Sequence, residues 1–241
     1  MTALRVAPHV HSEWSYDAEW TLPRLARLFG RLGYGGVLMT EHDRGFDQGR
    51  WEAYREACAA ASSTSMVVVP GIEYSDSSNL IHVTVWGCEE FLGEGTGTGE
   101  LLERASAAGA STVFAHPGRG GADRAFDAGW ADRLGGVEWW NRKYDGYAPR
   151  PDAGRALAAH GPVPFVGIDF HSPRQLVPFA MVLELDGPPS VAGVLAALRS
   201  RRCRPEVFGV SALRLMNGRG LRAAGVAEGA RKLAASASRR L

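Results

Sequence analysis

Apolar, β-branched runs recur along the chain, separated by stretches in which leucine, alanine and arginine fall at helical spacing. The runs predict strands over residues 4–11, 36–40, 66–74, 81–86, 112–116, 136–140, 165–170 and 179–185. The stretches between them predict helices over 21–32, 51–61, 100–108, 122–134 and 191–202, with a shorter one over 152–160. Thr21 has the character of an N-cap, with Pro23 in the first turn behind it. Strands alternating with helices predict an α/β fold with a mostly parallel sheet. Seven or eight such units in about 210 residues suit a compact closed barrel, and an open doubly wound sheet is the competing topology.

No stretch reads as a domain linker. The glycine-rich segment 93–99 (GEGTGTG) lacks the Lys-Ser/Thr of a P-loop and the spacing of a dinucleotide fold, which predicts a surface loop. Residues 216–241 read as a helix weakened by glycines. The expected organisation is one domain over 1–215 followed by a basic helical tail over 216–241.

Composition narrows the class. With 241 residues, 45% hydrophobic and 22% charged, the chain can bury a sizeable core. No apolar run approaches the ~20 residues of a membrane helix, and no secretory signal is evident, so the expectation is a cytoplasmic protein without a membrane partner. Cys58, Cys88 and Cys203 are too few and too scattered for a disulfide framework or a zinc ribbon. Net charge is 27 − 26 = +1, but residues 199–241 hold ten arginines and Lys232 against Glu206 and Glu228, a local charge of +9. That segment reads as a solvated face, since no aromatic residues are interleaved with its arginines for stacking on bases.

The seven histidines change the picture. His9 and His11 stand two apart at the end of the first predicted strand, so both point to one side. His42 follows the second strand, His82 opens its strand, His116 closes another, and His171 lies two residues after Asp169 at the end of a further one. Glu73 and Asp17 also lie at or near strand ends. In α/β barrels the strand ends form one rim where side chains converge. Six imidazoles at one rim repel one another when protonated, and divalent metal resolves the conflict, because imidazole nitrogens and carboxylate oxygens are its usual ligands. The seventh, His160, sits at a predicted helix C-terminus as a capping or solvated residue.

These motifs carry a resemblance. His9-Val-His11-Ser12 with Asp17, Thr40-Glu41-His42-Asp43, Pro70-Gly71-Ile72-Glu73, His82, Ala115-His116-Pro117-Gly118-Arg119 and Ile168-Asp169-Phe170-His171 resemble the polymerase and histidinol phosphatase (PHP) family, in that family's order. The resemblance implies a distorted (β/α)7 barrel and two or three divalent ions, of zinc, manganese or iron. It implies one ion on His9, His11, Glu73 and Asp169, a second sharing Glu73 with His82 and His116, and a third on Asp17, His42 and His171. Ala7, Pro8, Glu41, Ile168 and Phe170 depart from the family pattern at positions that are not expected ligands. They bear on metal identity and subfamily.

The function so implied is hydrolysis of a phosphomonoester on a small phosphorylated metabolite, such as histidinol phosphate, a nucleotide or a sugar phosphate, by a metal-activated hydroxide. Asp169, Glu73 and His171 are the candidate catalytic groups. Arg119, Arg44 and Arg142 follow strand ends and can grip phosphate with their forked guanidinium groups. A phosphodiesterase or short-oligonucleotide nuclease is the first alternative, with the basic tail as its support. A non-catalytic, metal-stabilised binding module is the alternative of another class. An amidohydrolase-like reaction lacks its metal-bridging lysine by this reading, because Lys143, the sole lysine outside the tail, lies past a strand end.

Overall fold

The computed structural model describes residues 1–149, 152 and 161–237. Two six-stranded sheets run through it. The first contains β1 (Thr2–Val10), β2 (Gly36–Met39), β4 (Val67–Val69), β10 (Phe179–Leu185), β11 (Cys203–Val207) and β12 (Val210–Ser211), in the order β12-β11-β10-β1-β2-β4. The second contains β3 (Glu41–His42), β5 (Gly71–Ser75), β6 (His82–Trp86), β7 (Ser111–Ala115), β8 (Gly136–Asn141) and β9 (Val163–Gly167), in the order β3-β5-β6-β7-β8-β9.

The chain crosses from the first sheet to the second at Thr40 and again at Pro70. Proline has no N–H for the ladder, so it divides the predicted 66–74 strand into β4 and β5. Gly71 follows because a Cβ there would lie 2.3 Å from the Trp86 indole, whose Nε1–H donates to the Met39 carbonyl (2.8 Å). The segment after β9 returns to β1. Ile168 N–H donates to Pro8 O (3.0 Å), Phe170 N–H to His9 O (3.1 Å) and His11 N–H to Phe170 O (3.0 Å).

The sheets are mixed rather than mostly parallel. β1–β2, β2–β4, β3–β5, β7–β8 and β8–β9 are parallel. β6 runs against both β5 and β7, and β10 runs against β1 and β11. The β5–β6 connection is too short for a parallel crossover. It is a turn in which the Asp76 carboxylate accepts from Leu80 N–H (2.7 Å) and Ile81 N–H (2.9 Å).

Helices cover the sheets with apolar faces. α1 (Leu22–Arg31) starts at its predicted cap, with Thr21 Oγ1 accepting from Arg24 N–H, and buries Leu22, Leu25 and Phe29. α2 (Gln48–Ala61) starts three residues earlier than the periodicity predicts, because Asp47 caps it. α3 (Thr98–Ala107) buries Leu101, Leu102 and Ala105. The predicted 122–134 helix is instead α4 (Ala122–Ala125) and a 3₁₀ turn over Ala128–Arg133. The Asp127 side chain accepts from Gly129 N–H (2.8 Å) and ends the first piece. The helix Val191–Arg199 stops short of 202, because Arg201 takes φ +55 and turns the chain into β11. The predicted 152–160 helix, with His160, lies outside the described residues apart from Asp152.

Two features stand out in the basic C-terminal segment. β11 went unpredicted because Arg204, Pro205 and Glu206 dilute its apolar pattern. The final helix, Gly218–Ala237, is tethered through Glu228, which is 6% exposed. Glu228 accepts from Tyr147 N–H (2.9 Å) and from Arg231. No helix among the described residues is long and apolar enough to cross a membrane.

Candidate metal centre

The ends of β1, β3, β7 and β9 meet beside β5, and the start of β6 joins them. That exception among the strand-end histidines is explained by direction. β6 is antiparallel, so its first residue, His82, pairs with Ser75 at the end of β5 and Ala115 at the end of β7.

Glu73 is the hub. Its Oε1 lies 2.8 Å from His116 Nε2 and 3.0 Å from His82 Nδ1. Its Oε2 lies 3.3 Å from His42 Nδ1 and 3.5 Å from both His9 Nε2 and His11 Nε2. Asp169 Oδ1 faces His171 Nδ1 (3.3 Å) and His11 Nε2 (3.7 Å), and its Oδ2 faces His116 Nε2 (3.9 Å). Asp17 bridges the outer pair, 3.4 Å from His42 Nε2 and 3.1 Å from His171 Nε2. All nine residues singled out as metal ligands in the sequence therefore stand in one cluster. Three combinations within it hold ligand atoms within 4.8 Å of one another: His9–Glu73–His116, His9–His11–Asp169 and His11–His42–His171.

The donor set fits divalent ions. His9 Nε2 and His11 Nε2 are buried and have no hydrogen-bond partner, a costly state for imidazole nitrogens unless something else takes their lone pairs. Hydrogen bonding sets which nitrogen is free to do so. His9 Nδ1 donates to Glu138 Oε1 (2.7 Å), which turns its Nε2 towards Glu73. His82 is reversed: Asn79 Oδ1 engages its Nε2 (2.8 Å), so Nδ1 faces Glu73.

Charge in the cluster is strongly coupled. Burial opposes ionisation of Glu73, but His9 and His82 outweigh it and hold the carboxyl well below its ordinary range. Asp169 is lowered in the same way by His9, Lys143 and His116 against burial. His11 is pushed well below the ordinary imidazole value by burial and by His42 and His171. His9 goes the other way, because Glu138, Glu73 and Asp169 overcome its burial.

The backbone is strained at this centre. His9 (φ 59), His116 (φ 31) and Asp169 (φ 53) occupy the left-handed region, which non-glycine residues rarely adopt. The simple two-residue alternation proposed for His9 and His11 is therefore replaced by an irregular strand end, with the β1–β2 register shifting between Ala7 and Val10.

Sequence reasoning places Glu41 around the ligands but leaves out Glu138 and Lys143. Glu138 accepts from His9, from His116 N–H (2.9 Å) and from Asn141 Nδ2 (2.9 Å). Its signal is a single acid inside the apolar strand GVEWWN. Glu41 accepts from Ser12 and from Ser15 Oγ, which also takes the His42 N–H, so it braces the chain around His11 and His42. Lys143, set aside above for lying past a strand end, places Nζ 3.3 Å from Asp169 Oδ1 and 3.2 Å from His171 Nε2.

The three arginines occupy different surroundings. Arg44 lies over the Tyr16 ring (5.2 Å), and Tyr16 stacks on His42 (5.1 Å). These residues line an open cavity of about 500 Å³ with Asp43, Ser75, Asn79 and Glu94. Arg119 donates to Asn79 O (2.7 Å) and meets His82 Nε2 (3.2 Å). Arg142 turns towards the Tyr147 ring (4.8 Å) and the Arg174 carbonyl (3.4 Å). The glycine-rich 93–99 loop is pinned to this region, with Gly95 N–H donating to Asp43 and Gly45 N–H to Glu94.

No family model and no curated protein matches the sequence. Solved structures share the fold. A two-domain protein containing a predicted PHP-like metal-dependent phosphoesterase from Bacteroides vulgatus aligns with a TM-score of 0.65 at 17% identity, over 86% of this chain and 65% of that one. PsfC from Pseudomonas syringae aligns with a TM-score of 0.63 at 16% identity, over 96% of this chain and 99% of that one. The lesion-specific endonuclease PfuEndoQ from Pyrococcus furiosus aligns with a TM-score of 0.55 at 14% identity, over 83% of this chain and 56% of that one. The chain thus spans under two thirds of the Bacteroides protein and of the endonuclease. The chain shares its fold with these structures, the Bacteroides protein with its predicted PHP-like phosphoesterase among them.

Proposed function

We propose that this chain is a metal-dependent phosphoesterase that hydrolyses the phosphomonoester of a small metabolite. The observation that carries the reading is the convergence of five imidazoles on the single buried carboxylate of Glu73. The two sheets, joined by the Ile168, Phe170 and His11 hydrogen bonds, read as one distorted (β/α)7 barrel with the cluster at its rim. Residues 1–215 are the catalytic unit in this reading, with 216–241 as its appended helix.

His9, His11, Glu73 and Asp169 would hold one ion, Glu73 with His82 and His116 a second, and Asp17, His42 and His171 a third. When bound, divalent ions supply Lewis acidity at the phosphoryl oxygens and acidify a water. Asp169 faces the middle of the cluster and is held ionised by His9, Lys143 and His116 against burial, so it is the carboxylate placed to take up a proton. Glu138 fixes the His9 ring, and Glu41 fixes the loop that carries His11 and Asp17. Arg44, lining the cavity, and Arg119, beside His82, flank the cluster and suit phosphate oxygens. The cavity beside His42 takes the remainder of a small substrate.

The test is hydrolysis of an aryl phosphate by purified protein, with bound metal measured alongside. Turnover abolished by chelator and restored by Mn²⁺ or Zn²⁺ is expected. Stoichiometric metal without turnover on aryl or nucleotide phosphates would instead make this a binding module. Turnover on oligonucleotides that is lost on deleting residues 216–241 would make it a nuclease.

A further inference from the structure

We propose that Lys143 guards the outer ion position, so that the pocket holds two ions tightly and the third weakly. The inference rests on the metal-dependent reading above. The outer position would draw its ligands from Asp17, His42 and His171, beside His11 of the neighbouring position. The ammonium of Lys143 stands 3.2 Å from His171 Nε2, one of those ligand atoms, and 3.3 Å from Asp169 Oδ1 on the neighbouring position. An ion on His171 Nε2 at the usual ~2.1 Å would lie no more than about 5 Å from that ammonium. Two cations would then compete for one nitrogen and for the same carboxylates.

Three further observations support a fitted role for this side chain. The backbone beneath Lys143 is held, since its main-chain N–H donates to Asn141 Oδ1 (3.0 Å), and Asn141 itself bonds Glu138 and Asp169. The ion pocket thereby fixes the start of α5 (Arg142–Asp145), which carries the ammonium. The outer position is also the poorer in carboxylate: Asp17 is its sole acid in the assignment above, with a side chain 33% exposed, against 1% for Glu73 and Asp169. Finally, the chain uses lysine twice against 25 arginines, and one of the two stands here.

The test counts ions directly. Chelator-stripped wild type, Lys143→Met and Lys143→Met with His171→Ala would be titrated with Mn²⁺, free Mn²⁺ being read by electron paramagnetic resonance and folding by circular dichroism. The expected result is two tight ions in wild type and a third in Lys143→Met bound at least tenfold more tightly than in wild type. The added ion should disappear in the double variant. Lys143→Arg retains the charge and should bind the third ion no more tightly than wild type, which guards against a Met variant that fails to fold. Equal third-ion affinity in wild type and Lys143→Met overturns the inference while leaving the metal reading intact. Absence of Mn²⁺ binding by wild type overturns the metal reading itself.

Discussion

The two halves of the ion pocket are built differently. The deep half, around Glu73, His9, His82 and His116, is sealed, with every one of these side chains 6% exposed or less. Its ligands are braced from behind: Glu138 holds the His9 ring and the His116 backbone, and Asn79 holds His82. The outer half, around His42, His171 and Asp17, opens to solvent through Asp17, under a Tyr16 that is 65% exposed. A permanent cation, Lys143, already leans on it. Sealing and bracing favour firm, charge-matched ion binding. An open, cation-flanked half favours exchange and contact with substrate. The same residue types are thus set to different tasks by burial and by what stands behind them.

The largest effect is expected where both halves depend on one atom pair. Glu73→Gln removes the carboxylate shared by five imidazoles, and turnover on an aryl phosphate should fall by about 10³-fold or more, with metal content collapsing in the same preparation. Turnover retained within tenfold would break the idea of a hub. Next comes the brace. Glu138→Gln keeps the shape but weakens the His9 contact, and ion affinity should drop by roughly 10- to 100-fold, read by Mn²⁺ titration. An unchanged affinity would mean that the deep half does not depend on its backing.

Paired single variants sharpen the contrast. His116→Ala should cost the deep half an ion, whereas His171→Ala should leave the deep ions bound and act on turnover alone. Equal losses of metal from the two variants would erase the distinction between the halves.

The smallest effect lies outside the pocket, at the tether of the last helix. Arg231 and the Tyr147 N–H, opposed by burial, hold Glu228 down to about 2. A carboxyl lowered on folding adds stability above its unfolded value, ~4.3, and loses it as pH falls towards the folded one. The melting temperature of wild type should therefore exceed that of Glu228→Gln at pH 6, and the gap should close between about pH 4.5 and 2. A gap that persists at pH 2 would assign the difference to packing.

Much of this was legible in the sequence, and the limits have physical causes. Strand ends rich in histidine marked the nine ligand candidates, because one-dimensional spacing survives into a rim. What surrounds those residues did not show. Glu138 reaches His9 across 129 positions of chain, and no local pattern encodes that pairing. Lys143 was dismissed for standing after a strand, yet the Asn141 cap turns α5 inward and brings the ammonium to the pocket. The direction of β6 was invisible as well, since an apolar run reads identically forwards and backwards. Its reversal is what lets a histidine at the start of a strand meet others at the ends of theirs.

The left-handed backbone at His9, His116 and Asp169 carries a consequence for anyone breeding this protein. Glycine would sit there at ease, and each replacement would also remove a side chain from a crowded nest of like and unlike charges. Each glycine would relax the backbone but strand a buried partner, Glu138 behind His9, Glu73 beside His116 and Lys143 beside Asp169, so the strained torsions persist because the side chains on them are paired. Resilience and reactivity draw here on the same torsion angles, so a library should keep these codons fixed and look for sturdiness elsewhere.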